Sequence, residues 1–411
     1  MRSFSVNQLA LAVVIAAYGS STPVFAVENP AHIDLGPVEM TPMVSLGIGH
    51  DDNVYREGGD GVLADKSSTV YLLDASAAFK AQKGLSTYET VLTASNTRFA
   101  SESDANYTDF GLTGNIHQEL NSRHRLDLDF DLGRYHDAGS AISITDREAP
   151  AYTRTSGGAK YGFGGMDAKF RADFFGNINK SKYQKTNGVS EGSNRKNTEY
   201  GTTVYYRFMP KTDVLFEVKQ RELDYTAEEQ TGFDVNSYLL GLNWEATAKT
   251  AGYIKVGRRE RDAQAAGVDT ENFNGWEVGV SYMPVDRSVI QVSTSKDYGF
   301  DSENPDVNNL LFTKGTSSTV NWMHQWTAKI STNLNYTYSS DDVENRDGVL
   351  VKDRSVDQYG LSIDWNVLRN ASLSLSYNNS ERDESVKDAA SGLSADSYKR
   401  NAYMLTGTIA L

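Results

Sequence analysis

The eight residues Arg125-Leu-Asp-Leu-Asp-Phe-Asp-Leu132 alternate strictly between charged and apolar side chains, and this pattern limits the folds open to the chain. Successive side chains of a β-strand point to opposite faces, so such a strand has one apolar face and one charged face. A helix would scatter the carboxylates around its axis and leave no single apolar surface. The stretch therefore predicts an amphipathic strand and leaves open which face lies inside the fold.

The same alternation recurs from Met43 to the end of the chain. Alternating segments of about ten residues come in pairs joined by short turns, and longer polar loops separate the pairs. The turns recur every ~40 residues, near 81–84, 121–124, 164–167, 209–212, 247–250, 284–288, 327–329 and 368–370. Long loops rich in Asp, Glu, Gly, Ser and Asn are predicted at Asp51–Lys66, Asp137–Pro150, Gly299–Gly315 and Ser339–Asp353. Counting the segments gives eighteen strands.

This organisation predicts an all-β protein, a transmembrane antiparallel up-and-down β-barrel of about 18 strands. The short turns are expected on the periplasmic side and the long acidic loops on the extracellular side. A propeller blade would divide the same period among four short strands, and its Trp-Asp signature is absent. A soluble β-sandwich or β-solenoid is the remaining alternative.

Two further features favour the barrel. The C-terminal strand has alternating apolar residues and resembles the assembly signal of bacterial outer-membrane proteins, although its last residue is Leu411 where that signal has Phe. Aromatic residues at the ends of the apolar faces next to the short turns are typical of interfacial girdles; they are Phe79, Phe208, Trp244, Tyr282, Trp326 and Trp365.

The chain is predicted to have three parts. Residues 1–26 resemble a secretory signal peptide, with Arg2, a short apolar core and the small-residue cleavage site Val24-Phe-Ala26. The apolar core is about half the ~20 residues of a spanning helix. Residues 27–42 form a short periplasmic lead-in, and residues 43–411 form the barrel. The predicted location is the bacterial outer membrane.

The charged side chains of the alternating strands are expected to line the barrel interior. Our candidate pore-lining residues are Arg125, Asp127, Asp129, Asp131, Lys169, Arg171, Asp173, Arg207, Glu217, Lys219 and Arg221. Both signs of charge are present, so no arginine track suited to an acidic polymer is evident. Barrels of this strand number can hold an aqueous channel. A lumen closed by ion-paired side chains and inward loops is the alternative.

The sequence offers little for covalent chemistry. It contains no Cys, its six His residues show no metal-ligand spacing, and it lacks a nucleophile elbow and a phosphate-binding loop. We therefore expect no enzymatic activity, no cofactor and no metal site. A formal charge of −14 argues against nucleic acid as a partner.

The start of the predicted barrel carries a family resemblance. Ile33-Asp-Leu-Gly-Pro37, Pro42 and the segment Leu46-Gly-Ile-Gly-His-Asp-Asp-Asn-Val-Tyr55 resemble the family called β-barrel porin 2. The matching motif is Asp52, Asn53, Val54 and Tyr55, and the similarity extends to Leu411. The resemblance implies an outer-membrane barrel associated with exopolysaccharide or capsule synthesis. For the motif itself we favour a structural role, because Asp and Asn terminate strands and cap loops.

The resulting hypothesis is an outer-membrane exit pore for exopolysaccharide or capsular polysaccharide. A general or sugar-specific diffusion porin is one alternative, and a structural or adhesive surface protein is another. The expected partners are outer-membrane lipid and lipopolysaccharide, the polysaccharide, and a periplasmic polysaccharide-export protein.

Overall fold

The computed structural model describes residues 32–59, 63–137, 147–184, 194–225, 232–247, 249–264, 269–300, 312–345, 349–388 and 395–410. The predicted signal peptide lies outside the described residues. No helix among the described residues is long and apolar enough to span a membrane.

The described residues form nineteen strands and one short 3-10 helix, η1 (Ser103–Ala105). The strands are β1 (Ile33–Asp34), β2 (Val38–Asp51), β3 (Ser68–Lys83), β4 (Ser86–Phe99), β5 (Tyr107–Asn121), β6 (His124–His136), β7 (Ala151–Phe163), β8 (Phe170–Tyr183), β9 (Arg195–Met209), β10 (Thr212–Tyr225), β11 (Phe233–Thr247), β12 (Thr250–Ala263), β13 (Glu271–Val285), β14 (Ser288–Phe300), β15 (Phe312–Gln325), β16 (Ile330–Glu344), β17 (Leu350–Leu368), β18 (Ala371–Val386) and β19 (Tyr398–Ala410).

Strands β2 to β19 form one closed antiparallel barrel. Each strand pairs with its neighbours in the chain, and β19 pairs with β2 from Met43 opposite Ala410 to Asp51 opposite Ala402. Closure removes the sheet edges, so the ladders satisfy the backbone groups without help from water. Eighteen barrel strands put the start of β2 and the end of β19 at the same rim, where the short turns also lie. The predicted barrel is confirmed.

Two boundaries differ from the sequence prediction. The first barrel strand begins at Val38 rather than Met43, because residues 38–42 already pair with β3. Pro42 is tolerated there because β19 ends opposite Met43, so this part of β2 extends past the end of that ladder. The predicted loop Ser339–Asp353 is largely strand, since β16 runs to Glu344 and β17 starts at Leu350.

The apolar side chains of the alternating strands face outward. Leu46, Leu240 and Leu375 are 64%, 57% and 54% exposed although each lies in the middle of a strand. On β8 the apolar positions run from Phe170 to Ile178, which matches the apolar band of about 25 Å on transmembrane barrels. Four of the predicted girdle residues are exposed beside the short turns: Phe208, Tyr282, Trp326 and Trp365. Such a belt is stable in lipid and not in water.

Opposite faces of one strand should respond differently to a charge. We expect Leu375→Arg, on the outer face of β18, to lower the free energy of unfolding by about 2–4 kcal/mol, because the guanidinium then faces the bilayer interior. Ser376→Arg is the matched control, since the next residue faces the interior of the barrel. Urea unfolding in lipid vesicles measures both, and equal destabilisation would contradict the assignment of the faces.

Candidate functional site

Contacts between strands that are not neighbours identify the inner face of the barrel. Nζ of Lys219 on β10 lies 2.9 Å from Oε1 of Glu277 on β13. A guanidinium nitrogen of Arg221, also on β10, lies 3.1 Å from a carboxylate oxygen of Asp297 on β14. Strands three and four places apart can meet only across the concave side of the wall. The charged side chains that were predicted to line the interior therefore face inward at these positions.

Glu277 is the centre of an ion-pair network inside the barrel. Its carboxylate accepts hydrogen bonds from Lys219 (2.9 Å), Lys255 (3.2 Å) and Arg259 (2.6 Å). Lys255 also donates to Glu217 (2.7 Å), which is only 4% exposed. Buried ions cost several kcal/mol each to desolvate, so the arrangement is stable only while every charge keeps its partner. We call the set Glu217, Lys219, Arg221, Lys255, Arg259, Glu277 and Asp297 the luminal ion-pair network.

The predicted arginines of β8 and β9 are joined by one carboxylate. Asp213 accepts hydrogen bonds from Arg171 (2.6 Å) and Arg207 (2.9 Å). The Arg171 guanidinium also lies 4.3 Å from the centre of the Tyr205 ring, at cation–π distance. Because these guanidinium groups are already engaged by the protein, they are not free donors for a solute.

The inner face of β6, the strand that contains Arg125–Leu132, is also ion-paired. Arg125 pairs with Asp173 at 2.7 Å. Asp127 lies 2.6 Å from Nδ1 of His117 and 3.2 Å from Nζ of Lys160.

Further along β6, the carboxylate of Asp131 accepts a hydrogen bond from the Tyr135 hydroxyl (2.7 Å) and lies 3.5 Å from Arg154. Asp129 is exposed to the interior.

Lys169 departs from the prediction. It precedes β8, is exposed, and its Nζ lies 5.5 Å from the ring centre of Tyr206, whose side chain points outward. The alternation of β8 begins only at Phe170, so extending it backwards misplaced Lys169. This lysine belongs to the outer surface of the short-turn rim.

An aromatic cluster fills one side of the interior near the long loops. Pairing of β13 with β14 stops at Trp276 opposite Lys296, although both strands continue. Beyond this point the ends of β14 and β15 pack against the inner face of β11 to β13. The cluster consists of Leu223, Phe233, Val235, Tyr298 and Phe312, each at most 2% exposed.

Ring and ion-pair contacts hold this inward-folded end. Phe312 meets Phe233 edge-on with ring centres 5.0 Å apart. The guanidinium of Arg261 lies 3.8 Å from the ring centre of Phe312, and Nζ of Lys314 lies 2.6 Å from Glu271. On this side packed aromatic residues and ion-paired side chains fill part of the interior.

The family motif lies at the seam between the first and last barrel strands. Asp51, immediately before it, makes a bidentate ion pair with Arg400: Nε lies 3.0 Å from Oδ1 and Nη2 lies 2.7 Å from Oδ2. Asp52 accepts hydrogen bonds from the backbone N–H (2.6 Å) and the side-chain amide (2.8 Å) of Asn401. Asn53 donates to the carbonyl of Lys399 (3.1 Å). We call this set the seam clasp.

The loop after the clasp folds against the barrel. Val54 and Tyr55 are 3% and 5% exposed and pack with Leu63 and Ala105. Burial and the neighbouring carboxylate of Glu102 raise the pKa of Tyr55 to about 12. All four motif residues therefore occupy structural positions in the loop, which fits the structural role that we favoured for Asp52 and Asn53.

Five neighbouring strands form an uncharged inner surface that the sequence reading missed. Apart from the apolar residues Val289, Met323, Val356 and Gly360 and one carboxylate, Asp364, the inward positions in the middle of β14 to β18 carry only hydroxyl and amide groups. We call this surface the neutral strip: Gln291, Ser293, Ser295, Ser317, Thr319, Asn321, Ser331, Asn333, Asn335, Thr337, Ser339, Gln358, Ser362, Asn366, Ser372, Ser374, Ser376, Asn378 and Ser380.

The neutral strip has groups that face the interior and are open to it. Ser317, Gln358 and Asn378 are exposed although they lie on the inner face of β15, β17 and β18. Its sequence signal is an alternation of apolar residues with Ser, Thr or Asn, as in Ser372-Leu-Ser-Leu-Ser376. A search for charged residues alone cannot find it.

Comparison with known proteins gives a general likeness only. No family model matches the chain, and no curated protein matches it. Among solved structures, the siderophore receptor PirA from Acinetobacter baumannii is 7% identical, with 90% of this chain and 80% of that chain covered and a TM-score of 0.44. Pseudomonas aeruginosa OccK2 (OpdF) in complex with glucuronate is 9% identical, with 91% and 98% covered and a TM-score of 0.46.

The transmembrane assignment rests on the physical features of the molecule. An even-stranded closed barrel with an apolar belt, aromatic girdles and long loops at one rim is the architecture of bacterial outer-membrane proteins. The protein is therefore an outer-membrane β-barrel. Within the described ranges, no group of three or more His, Asp or Glu side chains could hold a metal ion.

Removing the centre of the luminal ion-pair network should destabilise the barrel. We expect Glu277→Gln to lower the free energy of unfolding by about 3–5 kcal/mol, because three cations lose their shared carboxylate. Urea unfolding in vesicles measures it. Glu381→Gln breaks an exposed pair with Lys399 and should have little effect. Equal stability of Glu277→Gln and the wild type would refute the structural role of the network.

The seam clasp should control closure of the barrel. Arg400→Gln leaves Asp51, which is 3% exposed, without its ion pair, so the heat-modifiable gel band should convert to the unfolded mobility at a lower temperature. Lys399→Gln is the control, since the Lys399 side chain is 63% exposed and makes its ion pair with Glu381, not with Asp51. If both variants convert at the wild-type temperature, the clasp does not secure the seam.

Proposed function

We propose that this outer-membrane barrel is a channel for an uncharged, hydroxyl-rich polymer, and that an exopolysaccharide or capsular polysaccharide leaves the cell through it. The observation that carries the proposal is the neutral strip. Hydroxyl and amide side chains exchange hydrogen bonds with sugar hydroxyls and with water at similar free energy. A chain of sugars can therefore move along them through many weak contacts.

The charges of the interior fit the same proposal. The arginines that could have gripped an acidic polymer, Arg125, Arg171, Arg207 and Arg221, are paired with carboxylates of the wall. These pairs support the wall rather than supply free positive charge. A neutral or weakly charged glycan is therefore the better substrate class than a uronic acid polymer.

A diffusion porin for small sugars is the second candidate, because the same uncharged surface also suits short saccharides. The two differ in what the cell loses with the gene. If the protein is the exit pore, deletion of its gene should remove polysaccharide from the cell surface and leave it inside the cell. If the amount and location of the polysaccharide do not change and small sugars enter more slowly, the diffusion porin would replace the exit pore as the proposed function.

The neutral strip gives a direct prediction. In planar bilayers, a neutral oligosaccharide should reduce the current, and Gln358→Leu combined with Asn378→Leu should weaken this block about tenfold. A tenfold loss corresponds to about 1.4 kcal/mol, or two hydrogen bonds of about 0.7 kcal/mol each. Single-channel recording across a concentration series measures the block.

Asn177→Leu is the matched control for this experiment. Asn177 is an exposed amide on the inner face of β8, outside the neutral strip, and donates to Glu199 at 3.3 Å. Its replacement should leave the block unchanged. Equal weakening by both changes would mean that the neutral strip does not bind the sugar.

A further inference from the structure

A group of basic side chains lies on the outer surface of β6, β8 and β9. Arg134 and Lys182 are both paired through Thr153 of β7, one on each side, and Lys180 pairs directly with Lys196. Adjacent strands are about 4.8 Å apart, so the four residues span about 15 Å around the barrel. We call Arg134, Lys180, Lys182 and Lys196 the outer basic patch.

The positive charge of this patch is largely uncompensated. Arg134, Lys180 and Lys182 are exposed, and none of them makes an ion pair with a residue of the described ranges. Arg134 donates instead to the neutral amide of Gln184 at 3.2 Å. Lys196, at the edge of the patch, lies 3.9 Å from Asp224. The side chains therefore present free donors to the surroundings.

The patch has a defined height relative to the membrane. Arg134 follows Leu132 on the outer parity of β6, and Lys180 follows Ile178 on β8, so both come directly after the last apolar side chain before a long loop. Lysine and arginine stems extend along apolar surface while their charged ends reach the polar boundary. The patch thus lies where lipid headgroups meet the barrel at the long-loop rim.

The neighbouring surface differs in sign. On β10, β11 and β12 the outward positions at the loop end carry Glu222, Asp224, Asp234 and Asp262. The outer basic patch therefore forms a positive sector that lies beside a negative one. An even distribution of lysines for solubility would not produce this separation.

We propose that the outer basic patch binds the phosphate groups of the phosphorylated glycolipid in the outer leaflet. Phosphate offers several acceptor oxygens, which match the ammonium and guanidinium donors at this height. The lipid's acyl chains would lie along the apolar belt directly below. The proposal assigns a lipid-binding sector to the barrel and is independent of what passes through the interior.

The test uses the full barrel, purified in an uncharged detergent. Phosphorylated lipid A and its dephosphorylated form are titrated separately, and bound lipid is counted by native mass spectrometry. Lys180→Gln combined with Lys182→Gln should weaken binding of the phosphorylated lipid about tenfold, and added salt should weaken wild-type binding. Binding of the dephosphorylated form should be weak for both proteins.

The control pair is Arg258→Gln combined with Lys399→Gln. Both side chains are exposed on the outer face elsewhere, and each is paired with a neighbouring glutamate. Their removal should leave lipid binding unchanged. If the double lysine variant does not fold, Lys182→Gln alone should weaken binding about threefold.

Two results would overturn the proposal: equal binding of the two lipid forms by the wild type, or wild-type affinity in the lysine variants. Conductance and sugar block of the same variants should stay unchanged. A loss of those properties with intact lipid binding would concern the channel and not the outer basic patch.

Discussion

In the bilayer interior, no water is available to satisfy a backbone amide, and the architecture follows from that constraint. A sheet can cross lipid only if its last strand pairs with its first. In this protein the closing ladder joins β19 to β2, and it ends at Asp51 opposite Ala402. The seam clasp stands at the end of this ladder, where side chains reinforce a last backbone hydrogen bond from the Asp52 N–H to the carbonyl of Asn401 (3.1 Å).

Closure divides the side chains into an outer and an inner set, and the inner set is itself divided. From β6 to β14 the wall is charged, and its arginines and lysines are bound to carboxylates of neighbouring and more distant strands. From β14 to β18 the middle of the wall carries hydroxyl and amide groups. The charged wall stabilises a curved and partly filled side of the barrel, while the neutral strip leaves its polar groups open to a solute.

Much of the fold could be predicted from the sequence because the alternation is local. Leu132 and Asp131 need only the geometry of one strand to be assigned to opposite faces. Strand ends are less predictable: the charged residues Asp341 and Arg354 look like loop, but they pair at 3.1 Å and extend the β16–β17 hairpin. Lys169 failed for the opposite reason, because the alternation does not extend beyond the strand itself.

The candidate site was only partly predictable. A charged residue on an inward parity can be recognised, but its partner, as with Lys219 and Glu277, depends on the curvature of the wall. The separation of β13 from β14 and the packing of Phe312 onto Phe233 depend on contacts between distant strands. The neutral strip was visible as a pattern, but we searched for charge.

The uncharged character of the neutral strip has a consequence for how a polymer would travel. A surface of many similar, weak and unbiased contacts has no preferred direction and no deep resting place along its length. It lowers friction without performing work. For the polymer that we propose, net movement would then come from the end at which it is made, because each added sugar would push the chain forward along this surface.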